Sequence, residues 1–242
     1  MIPRELICII LRFADIKNET KRKVINACQI DYYEIVVNTL SVDNIENFKY
    51  LISLNVQKQR LTTLPSILTL EILNCYYNQI TQIGDYPLLK QLYCGINQIT
   101  KLGDYPLLKH LDCYNNQLRQ LGDYPKLKEL ACYNNQIIQL GNYPLLEKLS
   151  CPNNQITQLG NYPFLEKLNC EVNQITQLGD YPLLKELYCS HNQITQIGDY
   201  PLLKELYCDY PLLEKLNCNQ LLHKYPPPPP PNRYFCTGCI LN

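Results

Sequence analysis

Eight of the thirteen cysteines stand at positions 75, 94, 113, 132, 151, 170, 189 and 208, a strict interval of nineteen residues. A fixed period over so much of a chain implies a stack of identical units, each burying its apolar face only against its neighbours. Disulfide frameworks pair irregular positions in small secreted domains. A cysteine at the same place in every unit instead reads as a small buried hydrophobe, which implies free thiols in a reducing compartment.

The unit is explicit between Leu89 and Pro106. Leu89, Leu92, Cys94, Asn97, Ile99 and Leu102 follow the spacing L-x-x-L-x-C-x-x-N-x-I-x-x-L, and Gly103-Asp104-Tyr105-Pro106 closes it. The pattern resembles the leucine-rich repeat family, with cysteine at the third leucine position, over roughly residues 51 to 208. That resemblance implies a β-dominated α/β fold: a solenoid or horseshoe of short parallel strands with a concave binding face.

Side chains two apart on a strand share a side, so Leu92 and Cys94 point inward while Tyr93 and Gly95 point outward. Asn78, Asn97, Asn116, Asn135, Asn154, Asn173 and Asn192 each follow a cysteine by three. Between apolar neighbours such an amide must be bonded, which predicts a buried asparagine ladder. Gly84 and its equivalents precede Asp or Asn, then Tyr-Pro. This predicts a turn in which glycine supplies positive φ, with one turn of 3₁₀ helix around Pro-Leu-Leu. Tyr86 through Tyr200 are expected to stack along the outside. The first unit is worn, with Leu51, Leu54, Val56, Leu61 and Leu64 in register and Gln59 in place of Asn. Nine residues are missing after Cys208, so regular coiling is expected to stop there.

Four segments follow: 1–45, 46–208 (the repeats), 209–224 (a C-terminal cap) and 225–242 (a proline-rich tail). Leu6, Ile9, Ile10 and Phe13 have helical spacing, which predicts a small helical N-terminal cap. Ile2-Pro3-Arg4-Glu5-Leu6 with Ile10-Leu11-Arg12-Phe13 resembles the opening of an F-box, which implies a Skp1-like partner through residues 1–40. Tyr32, Ile35, Val37, Leu40, Val42 and Ile45 also fit the repeat columns, so both readings stand. Pro226 to Pro231 is a polyproline II rod of about 19 Å, either a ligand or a spacer. Cys236 and Cys239 form half a zinc site at most, which would need Cys218 and His223 to complete it, and the pair is not read as a metal site. The last four residues have the C-a-a-X prenylation form, without a usual final residue.

Lys+Arg and Asp+Glu number 22 each. Zero net charge removes the footprint expected of a nucleic-acid binder. The longest apolar run, Leu6 to Leu11, is too short to span a bilayer or to serve as an export signal. His110, His191 and His223 are scattered, and no phosphate loop, nucleophile elbow or metal pair appears. The chain therefore reads as a non-enzyme with no cofactor and no metal. Outer positions hardly change between units, whereas outward strand positions do. Asn74, Tyr76, Tyr93, Asp112, Tyr114, Tyr133, Asn169, Glu171, Tyr188 and Tyr207 are thus the candidate protein-binding residues of the concave face. Tyrosine suits contact surfaces through its area and low entropic cost. The alternative is an F-box-type substrate adaptor for a ubiquitin ligase, with the repeats choosing the target. The near-identical repeats and Gln-Ile-Thr-Gln phrases resemble repeat proteins of large DNA viruses of amoebae. That resemblance implies the host cytoplasm and a host protein partner.

Overall fold

The computed structural model describes residues 33–36, 51–64 and 66–209. The helical cap, the F-box-like opening, the segment 210–224, the proline run, the cysteine pair and the C-a-a-X end lie outside them.

Among the described residues the chain forms one parallel sheet of ten strands in sequence order. They are β1 (Tyr33–Val36), β2 (Leu51–Asn55), β3 (Ile72–Asn74), β4 (Gln91–Tyr93), β5 (His110–Asp112), β6 (Glu129–Ala131), β7 (Lys148–Ser150), β8 (Lys167–Asn169), β9 (Glu186–Tyr188) and β10 (Glu205–Tyr207). From β2 onward each residue pairs with the one nineteen later, as in Leu92 with Leu111. β1 joins the same sheet with Ile35 opposite Leu54, after a register shift at Tyr33/Glu34. This four-residue strand follows the repeat-column reading of the segment.

The central leucine of each strand from β3 on and the cysteine two residues later are buried. The eight periodic cysteines are free. The Tyr-Pro-Leu-Leu turn closes with a single bond, in which the Leu89 amide donates to the Tyr86 carbonyl at 3.1 Å. It does not continue into a 3₁₀ helix.

The tyrosines of that turn are not on the outside. Tyr86, Tyr105, Tyr124, Tyr143, Tyr162, Tyr181 and Tyr200 are buried in the core. Tyr124 and Tyr143 stack at 6.1 Å and 7°, Tyr143 and Tyr162 at 6.2 Å and 12°. The hydroxyls of Tyr105, Tyr124, Tyr143, Tyr181 and Tyr200 meet backbone at the glycines, as where the Gly141 amide donates to Tyr143 Oη at 3.0 Å, whereas that of Tyr162 is buried without a hydrogen-bond partner. None of the turn glycines has positive φ, and Gly103 and Gly141 are needed for close approach to the coil before, whereas Gly84 has open space around it and Gly122 only ordinary contacts. A Cβ at Gly141 would lie 2.2 Å from the Gly122 carbonyl oxygen.

The asparagine ladder is present. Asn135 Oδ1 accepts from the Leu118 amide at 3.0 Å, one coil back. Its Nδ2 donates to the carbonyls of Cys113 (3.0 Å) and Cys132 (3.1 Å), stitching two coils together. The same set recurs from Asn78 to Asn192. Because each rung reaches backward, Asn78 also serves the worn unit, accepting from the amides of Gln59 and Leu61. Asn135→Ala strands these backbone groups at an expected cost of about 1–3 kcal/mol. Gln136 is exposed and its side chain makes none of these bonds, so Gln136→Ala is expected within about 0.5 kcal/mol of the parent. Thermal melts of the two variants check this, and equal melting points would contradict it.

Positive φ falls elsewhere, at the residue before each ladder asparagine: Tyr77, Ile96, Asn115, Asn134, Asn153, Val172 and His191, all between 51° and 58°. Asparagine tolerates this region and β-branched residues do not. The three asparagines also form a second, exposed ladder, with Asn153 Nδ2 donating to Asn134 Oδ1 at 2.8 Å and Asn134 Nδ2 to Asn115 Oδ1. Val172 is next in that row and 43% exposed. Val172→Asn relieves the strain and extends the ladder, with an expected gain of about 1 kcal/mol. An unchanged or lower urea midpoint would count against this account.

Candidate functional site

Three columns of side chains rise from the strand face, one before the central leucine, one after it and one after the cysteine. All ten residues expected from the sequence to form the binding face lie in the second and third columns and are partly exposed.

At one end four tyrosines gather. Tyr114 and Tyr133 stack at 4.5 Å and 9°. Gly95 stands between Tyr76 and Tyr114 in the third column, where a Cβ would lie 2.6 Å from the Tyr76 ring and 2.7 Å from the Tyr114 ring. The missing side chain lets Tyr76 lean to 5.7 Å from Tyr114 and 6.1 Å from Tyr93. The Tyr76 hydroxyl donates to Asp112 Oδ2. Burial, then this bond, push the Tyr76 phenol up, and burial raises the Asp112 carboxyl against the bond that lowers it. At the other end Tyr188 and Tyr207 stack at 4.5 Å and 8°. Tyr188 Oη donates to Glu205 at 3.0 Å. Burial first and this bond second push the Tyr188 phenol to about 12.

Between the aromatic ends the second column shrinks to Ala131, Ser150 and Asn169. The result is a trough of about 400 Å³ bounded by Tyr93 and Tyr188, with His110, Glu129, Lys148, Lys167 and Glu186 along one side. Tyr93 and Tyr188 are five strands apart, about 24 Å at the usual strand spacing. Asn74 and Asn169 turn their carbonyl oxygens to the backbone amides of Tyr76 and Glu171, so their amide nitrogens are what they offer a ligand.

The charged first column is not among the ten residues expected of the binding face. It belongs to the trough. Glu129 pairs with Lys148 at 2.7 Å and His110 at 3.3 Å, and Lys167 pairs with Glu186 at 2.6 Å. Lys148, then His110, hold the Glu129 carboxyl below its ordinary value. The available signal was period-two alternation, since residues one before and one after the buried leucine share a side. The chemistry offered is contact: stacked phenols, amides and paired charges. Among the described residues no group of three His, Cys, Asp or Glu is placed to hold a metal ion. No helix there is long and apolar enough to cross a membrane.

The fold is that of leucine-rich repeat proteins. YopM from Yersinia enterocolitica WA-314 matches with TM-score 0.53 and 29% identity, over 66% of this chain and 42% of its own. YopM from Yersinia pestis, a leucine-rich effector protein, matches with TM-score 0.63 and 24% identity, over 83% and 66%. The leucine-rich repeat domain of APL1B matches with TM-score 0.60 and 24% identity, over 73% and 60%. The chain thus covers 42% to 66% of the length of these structures. No family model and no curated protein matches it.

Proposed function

We propose that this chain is a protein-interaction module that holds a partner protein against the strand face, with the two tyrosine clusters as anchors and the trough between them. One contrast carries the reading. The buried columns repeat almost without change, whereas the second and third columns pass through Tyr, Asp, Ala, Ser, Asn, Gly, Pro and Glu. Stacked tyrosines that are only partly buried by their own fold retain surface for a partner, and tyrosine is a frequent hot-spot residue. Identical groups in rows suit recognition better than catalysis, so the reading is of a binder and not an enzyme. The eight free, buried thiols favour a reducing compartment, and the cytoplasm is the proposed location, that of the host cell if the chain is viral.

Affinity capture from source cells, read by mass spectrometry, tests the surface when parent and variants run side by side. Tyr114→Ala with Tyr133→Ala is expected to lose the captured partner while the melting point holds within a few degrees. The control is a row on the outer turns, where Leu145 is 40% and Phe164 48% exposed. Leu145→Ser with Phe164→Ser is expected to bind as the parent does. Loss of capture by the outer pair and not by the tyrosine pair would place the interface on the wrong side of this reading. The F-box-type alternative is a claim about residues 1–40. Capture of a Skp1-like protein that depends on those residues would support it.

A further inference from the structure

We propose that the strand face takes a basic, extended segment of the partner protein, laid across the strands, with one arginine or lysine at the Tyr93–Asp112 end of the trough and another at the Tyr188–Glu205 end. The proposal rests on the strand face being the binding surface and adds the chemistry of what binds there.

The charges of this face do not balance, although those of the whole chain do. The second and third columns hold Asp112, Glu171 and Asp209 and no Lys, Arg or His. In the first column His110 and Lys148 are matched by Glu129, and Lys167 by Glu186. Glu205 ends that column without an ion pair. Among the described residues, every cation of the three columns thus has an anion, and four carboxylates have no cation. Surfaces that bind each other carry complementary potentials, so this surplus calls for a cationic ligand.

Two of the unmatched carboxylates are set among rings. Asp112 has Tyr93 on the strand before it and Ala131 on the strand after it. Its Oδ2 accepts from the Tyr76 hydroxyl. The small Ala131 leaves the trough open beside it. At the other end Glu205 accepts from the Tyr188 hydroxyl at 3.0 Å, beside the stacked rings of Tyr188 and Tyr207. Each end therefore offers a carboxylate held by a phenol next to aromatic rings. A guanidinium or ammonium group is favoured there by cation–π attraction and by charge pairing, and a planar guanidinium also stacks on the rings. Asp112 on β5 and Glu205 on β10 are five strands apart, about 24 Å. An extended segment advances about 3.3 Å per residue, so two cations about seven residues apart reach both ends. Glu171, just past β8, lies between them.

The probe is a synthetic Gly-Ser peptide with two arginines about seven residues apart, titrated to millimolar concentration into the full chain with isotope-labelled tyrosine. Saturable shifts of the Tyr93 and Tyr188 ring signals are expected, weakening as salt is raised. Asp112→Asn with Glu205→Gln keeps an oxygen for each phenol and removes both charges, and is expected to bind about fivefold more weakly or worse. Citrulline in place of both arginines is expected to do the same. Asp180→Asn with Asp199→Asn removes the same charge from exposed outer turns and is expected to bind as the parent does. The proposal is overturned by no saturable shift, by equal binding of the citrulline peptide, or by an equal loss in the outer-turn chain. Free arginine amide binding as tightly as the peptide would make the ligand a small cation and overturns it too. Capture from source cells keeps the two readings apart. A partner kept by the Asp112/Glu205 chain and lost by the Tyr114/Tyr133 chain sinks the basic segment alone. A peptide bound at both ends, with capture insensitive to Tyr114 and Tyr133, sinks only the partner-binding reading.

Discussion

Between pH 8.5 and pH 10 the array is expected to unfold. Burial pushes the thiols of Cys75, Cys94, Cys113, Cys132, Cys151 and Cys170 upward, Cys170 to about 12. Cys189 is raised first by its hydrogen bond with Cys208 and then by burial. A thiol whose pKa is raised in the fold stays protonated there while the unfolded chain ionises near pH 8.5. Above that pH the folded state binds more protons than the unfolded one, so stability falls as pH rises. The loss continues until the folded thiols themselves titrate. Each thiol contributes about 1.4 kcal/mol at pH 9.5, one unit above its unfolded value. Seven such thiols together remove about 10 kcal/mol, comparable with the whole stability of a domain. The buried turn tyrosines, raised mainly by burial, add to the loss in the same direction above about pH 10. Urea midpoints followed by circular dichroism from pH 7.5 to 10 check this. Cys132→Ala should lower stability at pH 7 and flatten the slope by one proton. A midpoint that stays level across the range would remove the cysteine column from the core.

Much of this arrangement was legible because identity repeats. Nineteen-residue spacing alone separates Cys94 and Cys113 from a disulfide framework. Asn97 between apolar neighbours has nowhere to bond except the backbone of adjacent coils. The strand face follows from alternation around Leu92 and Cys94. The misplaced features share a cause, which is that residue type masks geometry. Tyr143 beside Gly-Asn and Pro reads as a surface turn, yet its ring fills the space that a nineteen-residue coil is too short to fill with a helix. The left-handed position before the ladder asparagine is announced by Asn115, Asn134 and Asn153 and concealed by Tyr77, Ile96 and Val172. Glu129 and Lys148 read as solvated outer charges because charge weighs more than alternation in a three-residue strand. The lean of Tyr76 across Gly95 depends on three consecutive coils, and the sequence signal for it is the single gap in the third column. What the strand face would bind has no signal in one sequence, because a surface records only its own half.

The tyrosine column carries the second large effect, since it separates the role of tyrosine in the fold from the binding role proposed for it on the strand face. Tyr143 is fully buried, between Tyr124 and Tyr162 in the stack. Tyr143→Ala removes a ring from the middle of the array, and the coils on either side are held by their own turns and rungs, so the cavity cannot close fully. A hole of that size costs about 4 kcal/mol, a fall in melting point of about 8–16 °C for a chain of this length. Tyr143→Phe keeps the ring and deletes only the oxygen that accepts from the Gly141 amide, at about 1 kcal/mol. Tyr133→Ala, on the strand face, leaves solvent where the ring was and no cavity, and belongs within about 1 kcal/mol of the parent. Stability is passed between neighbouring units in a solenoid, so the Tyr143→Ala defect is also expected to split the unfolding transition in two. The order Tyr143→Ala, Tyr143→Phe, Tyr133→Ala from least to most stable is what differential scanning calorimetry should return. A Tyr133→Ala chain as unstable as Tyr143→Ala would show that the strand-face rings serve the fold and are not held there for a partner.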